Sequence, residues 1–217
     1  MAQRRFHYEH AFEALLRRRR VPYIAVDEAR RALLPEGARL TAADPDRDAQ
    51  PAALKSFDFV VYLDGRSLLV DVKGRKVARR ARQGLATGRL ESWVTEDDVA
   101  SLERWRTLFS GPNAHRKHAP ADQPKPAARY DAVFAFLYWC EAQPPDGLFQ
   151  EVFEHRGRWY AVRAVELDNY RRAMVQRSPR WRTVHLPRAA FDRLSEPFAA
   201  WCTPPIPSPR HPRRAAG

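Results

Sequence analysis

The sequence predicts an α/β domain built on a mixed central sheet, and three observations predict it. An amphipathic stripe opens the chain, with Tyr8, Ala11, Phe12, Leu15 and Leu16 recurring at helical spacing. Two β-rich runs, residues 57–63 and 67–73, flank a turn containing Asp64-Gly65, which is a strong local hairpin signal. Residues 131–140 form a nearly continuous apolar run, the pattern of a central strand.

The elements follow in order. The first helix closes on Arg17, Arg18, Arg19 and Arg20, four cations that suit the negative end of its dipole. Residues 21–26 read as a short buried strand, and Asp27 as the cap of a brief helix through Leu33 and Leu34. Residues 35–53 are rich in Pro, Gly, Asp and Ala and read as a loop. After the hairpin, Thr95-Glu96-Asp97-Asp98 resembles a capping box with Thr95 as cap. The helix it opens runs to about Phe109 and buries Val99, Leu102, Trp105 and Leu108 or Phe109. Residues 110–129 read as a flexible insertion. A second hairpin pairs residues 149–154 with 159–164 through His155-Arg156-Gly157. Residues 165–176 read as a helix, 182–186 as a short strand and 188–200 as a last helix. Five prolines after Thr203 make residues 203–217 a disordered basic tail. The expected organisation is one α/β domain over residues 1–202, with its core in 4–140 and an αβ extension in 141–202.

Composition bounds the function. The 217 residues carry 38 Lys and Arg against 26 Asp and Glu, a net charge of +12. Six Trp, seven Tyr and eleven Phe exclude a wholly disordered chain, and nine Gly and two Cys exclude collagen-like and disulfide-scaffold classes. Cys140 and Cys202 form no C-x-x-C pair, so no thiolate zinc site is expected and a reducing, cytoplasmic setting fits. No apolar run approaches the ~20 residues of a membrane span, so no membrane partner is expected. The first twenty residues have neither the apolar core nor the cleavage site of a secretion signal. The positive charge points to a polyanion. Only Lys55, Lys73, Lys76, Lys117 and Lys125 are lysines, however, and an arginine-rich balance also follows from GC-rich coding.

The first hairpin carries the chemistry. A turn centred between Asp64 and Gly65 makes Val61 face Leu68, Phe59 face Val70 and Asp58 face Asp71. Lys73, two residues beyond Asp71, shares that face. The opposite face, Phe57, Phe59, Val61 and Leu63 against Leu68, Val70 and Val72, is apolar throughout and is expected in the core. Two carboxylates directly opposite repel among hydrophobic strands, and a divalent cation held by both would remove the repulsion. Oxygen donors of this kind suit Mg²⁺ or Mn²⁺. Lys73 beside them can position a water or neutralise charge on a phosphate. The plain alternative is an exposed rim at which Lys73 merely pairs with one acid. Three acid–base groups on one face of an otherwise apolar hairpin favour the site.

Asp58, then the turn, then Val70-Asp71-Val72-Lys73 resembles the PD-(D/E)XK nuclease superfamily, in which a first acid precedes a hairpin and the next strand carries acid-x-lysine. The resemblance implies a restriction-endonuclease-like αβββαβ core, close to the Holliday-junction-resolvase-like members, and covers about two-thirds of the chain. It implies that Asp58 and Asp71 ligate the metal with the Val72 carbonyl, and that Lys73 orients the attacking water. An acid on the first helix completes such sites; Glu9 is the match and Glu13, one turn later, the second candidate. The family also includes homodimers. Two departures stand out: Phe57 replaces the proline before Asp58, and no Q-x-x-x-Y signature follows Lys73.

From Gly74 to Leu90 there is no acid, while Arg75, Lys76, Arg79, Arg80, Arg82 and Arg89 follow directly from the proposed site. Such a segment holds a phosphate backbone without reading sequence; otherwise it is a solvated loop. Trp93 and the Arg180-Trp181-Arg182 triplet can stack on bases or pack as ordinary tryptophans. His7 and His10 flank Glu9 but make a weak zinc signal, and His115 and His118 fall in the insertion. The leading expectation is a metal-dependent nuclease acting on DNA rather than RNA. The alternatives are a nucleic-acid-binding protein of the same fold without turnover, and a protein-interaction module using the Pro-rich tail.

Overall fold

The computed structural model describes residues 6–27, 41–42, 52–77, 90–110, 129–140 and 151–202. The brief helix after Asp27, residues 111–128 of the insertion expected at 110–129, and the tail at 203–217 lie outside the described residues, as do His115 and His118.

Helix α1 (Phe6–Arg18) precedes strand β1 (Tyr23–Ala25). Two short strands, β2 (Thr41–Ala42) and β3 (Ala52–Ala53), pair with each other inside the stretch expected to be a loop. The hairpin follows as β4 (Phe59–Leu63) and β5 (Arg66–Lys76). Then come β6 (Val94–Thr95), α2 (Glu96–Ser110), β7 (Tyr130–Cys140), β8 (Val152–His155) and β9 (Arg158–Glu166). The chain continues through α3 (Leu167–Ala173), β10 (Val175–Ser178), β11 (Thr183–His185), α4 (Arg188–Leu194) and α5 (Phe198–Cys202).

A six-stranded sheet runs in the order β1-β4-β5-β7-β9-β8. Only β5 and β7 pair in parallel; every other neighbour is antiparallel, so the sheet is mixed. The parallel step is made by the crossover through α2, which a parallel pair requires. Strands β8 and β9 lengthen this same sheet beyond β7, so the C-terminal part of the chain adds to the central layer. A three-stranded sheet, β10-β11-β6, lies beside the start of α2.

The core is in two layers because both faces of the sheet are apolar. Leu68, Val70 and Val72 of β5, with Val133, Ala135 and Leu137 of β7, pack against Ala11, Phe12, Leu15 and Leu16 of α1. Leu69, Ala132, Phe134, Phe136 and Tyr138 pack on the other side against α2, α3 and α4. Strand β7 is thus buried on both faces, which explains its unbroken hydrophobicity.

The hairpin has the expected register: Phe59 faces Val70 and Val61 faces Leu68, closed by Gly65 at a φ of 73°. Phe57 corrects the expected core face. It precedes β4 and turns to the α2 side, edge-on to Trp105 at 5.5 Å and Phe109 at 6.0 Å. The second hairpin turns through Arg156 and Gly157, both at positive φ, the backbone that a two-residue turn between twisted strands favours.

Two helices are shorter than the sequence suggests. The run at 165–176 starts as strand, because Val165 and Glu166 still pair with Phe134 and Val133, and ends as strand, because Val175 pairs with His185. The last helix breaks at Ser195, where Glu196 forms a two-hydrogen-bond bridge with Ala164 of β9 before Pro197. Among the described residues no helix is long and apolar enough to cross a membrane.

Candidate active site

Asp58 sits one step before β4 and continues its register. Its N–H donates to the Val70 carbonyl at 3.0 Å, and its Oδ2 accepts the Val72 N–H at 2.6 Å. The side chain is therefore folded back onto β5, on the face that also carries Asp71 and Lys73. Asp71 is 7% exposed. Lys73 Nζ lies 2.9 Å from Asp71 Oδ2 and 3.4 Å from Asp98 Oδ2, with its side chain 17% exposed. Asp98 Oδ1 in turn lies 3.1 Å from Lys55 Nζ. The result is a row that alternates in charge from Lys55 through Asp98 and Lys73 to Asp71, with Asp58 beside Asp71 at its end.

Asp98 is not singled out as a site residue by the sequence pattern. It belongs to the capping box of α2, in which the Asp98 N–H donates to Thr95 Oγ1 at 3.1 Å and the Thr95 N–H donates to Asp98 Oδ2 at 2.8 Å. The box was legible as a helix start. Nothing in its spacing says that the first turn of α2 lies against β5.

The acids are held in opposite electrostatic states. Burial pushes the Asp58 carboxyl well above the usual range, and repulsion from Asp71 pushes it further, against the Val72 N–H. Burial also raises Asp71, with Lys73 opposing it. For Asp98 burial is outweighed by Lys73, the Thr95 donors and Lys55, and the carboxyl is lowered. Burial works against the Lys73 ammonium, but Asp71, Asp98 and Asp58 outweigh it and hold the lysine above its ordinary value. Asp58 and Asp71 interact directly, which only a shared face permits.

Glu9 approaches from a different layer. The stripe of α1 packs on the sheet face opposite Asp58 and Asp71. Its first turn still reaches the end of β5, because Gly74 has no Cβ; one added there would stand 2.0 Å from the Tyr8 ring. The Glu9 charge acts on Asp58, raising its pKa after the effects of burial and Asp71. Among the described residues, no three side chains of His, Cys, Asp and Glu gather closely enough to hold a metal ion. Two adjacent carboxylates remain a set of hard-oxygen donors, and Mg²⁺ is commonly bound through one or two carboxylates and waters. Glu13 is engaged elsewhere, by Arg17 at 2.6 Å and the Tyr23 hydroxyl at 2.7 Å. His7 Nδ1 is 2.9 Å from the Tyr160 hydroxyl, and His10 is exposed beside Glu13.

Of the basic segment, Arg75 and Lys76 are described; Arg79, Arg80, Arg82 and Arg89 lie outside the described residues. Arg75 turns inward. Its guanidinium stacks 4.0 Å from the centre of the Trp93 ring and donates to the carbonyls of Gly74 and Trp93. Arg177 also approaches Trp93, at 5.1 Å, so this tryptophan is covered by cations. Lys76 is exposed, with its ammonium 4.6 Å from the Trp139 ring. Trp181 differs: it stands 68% exposed.

No family model matches the chain, and no curated protein matches it. Among solved structures, the Holliday junction resolvase Hjc from the archaeal hyperthermophile Archaeoglobus fulgidus aligns with 90% of this chain and 98% of its own, at 13% identity and a TM-score of 0.45.

Proposed function

We propose that the chain is a metal-dependent nuclease that hydrolyses phosphodiester bonds in DNA. One observation carries the reading: on a hairpin otherwise given to the core, buried Asp71 interacts with Asp58 and has the Lys73 ammonium 2.9 Å away. Two adjacent carboxyls raised by burial, Asp58 further by the charge of Asp71, are a pair that a divalent cation relieves.

In this reading Asp58 and Asp71, with the Val72 carbonyl, hold Mg²⁺ or Mn²⁺, and Glu9 joins directly or through water. The cation, when bound, lowers the pKa of a water and offsets charge building on the phosphate. Lys73 would orient a water or donate to a phosphate oxygen, and Asp98, 3.4 Å from its Nζ, would keep the ammonium in place with Asp71 serving as a ligand. Lys76, exposed where β5 ends, supplies positive charge for the backbone of the substrate, and Arg79, Arg80, Arg82 and Arg89, which follow it in the sequence, would add to it, while Arg75 is held by Trp93. One domain over residues 1–202, a homodimer and a cytoplasmic location belong to the same reading.

The test is direct. Plasmid, single-stranded DNA and RNA are incubated with the protein in Mg²⁺ or Mn²⁺, beside Asp71→Ala and Lys73→Ala. Cleavage of DNA that both variants lose, by a factor of ~10² or more, is the expected outcome. Cleavage unaffected by either variant sinks the reading.

A second reading is favoured by a specific contact. Lys73 bridges Asp71 and Asp98, so an internal cation already satisfies the acids. A nucleic-acid-binding protein without turnover would bind with steep salt dependence and cleave nothing in the same experiment.

A further inference from the structure

We propose that the β10–β11 hairpin is a stacking platform for single-stranded nucleic acid, with Trp181 as the residue on which an unpaired base rests. It deepens the nuclease reading and rests on it for the class of partner, narrowing that class to strands that expose base faces.

Trp181 is the most exposed of the large apolar side chains in the described residues. It lies in the turn between β10 and β11, and that turn is firmly held. The Arg182 N–H donates to the Pro179 carbonyl at 3.2 Å, and the Trp181 N–H to Ser178 Oγ at 3.4 Å. Arg182 takes a left-handed backbone at a φ of 46°, a conformation that a non-glycine residue keeps only when its surroundings fix it. The fixing groups are visible. Its carbonyl accepts the Glu96 N–H at 2.9 Å, while its guanidinium reaches Glu96 at 3.1 Å and Asp97 at 3.3 Å. Strand β11 is also laced to β6 through Thr183 and Thr95. An indole presented on such a base loses little conformational freedom on binding.

The surroundings select the partner. No acid occurs in the sequence between Asp168 and Asp192, and of the six arginines there Arg180 stands beside Trp181, while Arg171, Arg177 and Arg188 pair with Glu103, Glu91 and Asp192. The Arg180 guanidinium lies 5.2 Å from the Trp181 ring. Arg182 offsets one of the two charges of Glu96 and Asp97, and Arg180 adds a second cation on the Trp181 side of the turn. An indole face beside cations matches a base attached to a phosphate backbone, and it accepts any base because each has a π-face. A continuous duplex keeps those faces stacked inside, so it cannot use the platform. Trp93 offers no such surface, since Arg75 and Arg177 cover it.

The platform borders the site. Glu96 and Asp97, which hold Arg182, precede Asp98, which holds Lys73, in the first turn of α2. A strand stacked on Trp181 is thereby fixed to the same helical turn that contacts Lys73.

Fluorescence anisotropy with a labelled oligo(dT) and with a blunt duplex of equal charge, both in EDTA, tests the proposal without requiring cleavage. Trp181→Ala is expected to weaken oligo(dT) binding about 10-fold or more and duplex binding less than about 2-fold, while Trp181→Phe retains most of the affinity. Unchanged oligo(dT) affinity in Trp181→Ala, an equal loss on duplex, or binding of polyglutamate in place of either nucleic acid overturns it. Cleavage in Mg²⁺, compared with Asp71→Ala, is read separately. Cleavage lost in Asp71→Ala beside an inert Trp181→Ala overturns the platform alone; an oligo(dT) loss in Trp181→Ala without any cleavage overturns the nuclease reading alone.

Discussion

The two faces of the β4–β5 hairpin are built from the same strands and do different work. One face, Phe59, Val61, Leu68, Val70 and Val72, is apolar from end to end and is closed by α1. The other begins apolar, with Val60 and Leu69 under α2, and then turns to Asp58, Asp71 and Lys73. The sheet thus keeps its stability on one side and tolerates repelling carboxylates on the other. Because the alternation of a strand separates the faces, a change on either can be made without touching the other.

The largest effect is expected on the apolar face. Phe59 packs against Phe12 at 5.4 Å and Tyr23 at 5.9 Å, which ties α1 and β1 to the sheet. Phe59→Ala leaves a cavity there and should cost about 3–5 kcal/mol. Thermal melting should show a midpoint lowered by ~10 °C, since each kcal/mol moves a chain of this size by about 2–4 °C. A drop of only a degree or two would mean that α1 does not depend on this face.

Asp98 comes next, because it serves both structure and site. Asp98→Ala removes the reciprocal half of the capping box and leaves Lys73 with Asp71 alone. The loss should be about 1–2 kcal/mol. Its pH dependence has a definite sign. The folded carboxyl is lowered, so its stabilisation is complete above the unfolded value of about 3.9 and disappears as pH falls through the folded one. Melting curves of the variant and the parent should therefore separate at neutral pH and converge in acid. A constant gap down to pH ~2 would place the effect in packing instead.

How far these features were legible depends on the range of the interactions behind them. The hairpin register, the Arg156-Gly157 turn and the Thr95 cap are local, and their residues sufficed to find them. Phe57, the strand at Val165 and the break at Ser195 were misread because distant partners decide them: Trp105, Phe134 and Ala164. The site divides in the same way. Asp58, Asp71 and Lys73 are neighbours in one hairpin, and alternation alone brings them together. Asp98 and Lys55 reach them only through the crossover that lays α2 on β5. Trp181 was ambiguous in sequence, since a tryptophan between arginines is written the same way whether it packs or projects.

The smallest effect is expected at Asp58, and it has the opposite direction. Asp58→Asn keeps an oxygen for the Val72 N–H, removes the charge that repels Asp71, and can donate a hydrogen bond to it. The folded Asp58 carboxyl is raised, so the parent carries its full relative stability from this group below about pH 3.9 and loses it as pH rises through the folded value. The variant never ionises here and should be more stable at pH 7 by about 1 kcal/mol, a gain of ~2–4 °C. Below about pH 3 the advantage should vanish, because the parent carboxyl is then neutral in the folded chain and nearly so in the unfolded one. Millimolar Mg²⁺ should also shrink the gap by stabilising the parent more than the variant, as binding to the folded state does. A variant less stable than the parent at pH 7 without metal would mean that the two carboxylates are not in conflict. The contrast between a face kept for stability and a face that gives some up would then be lost.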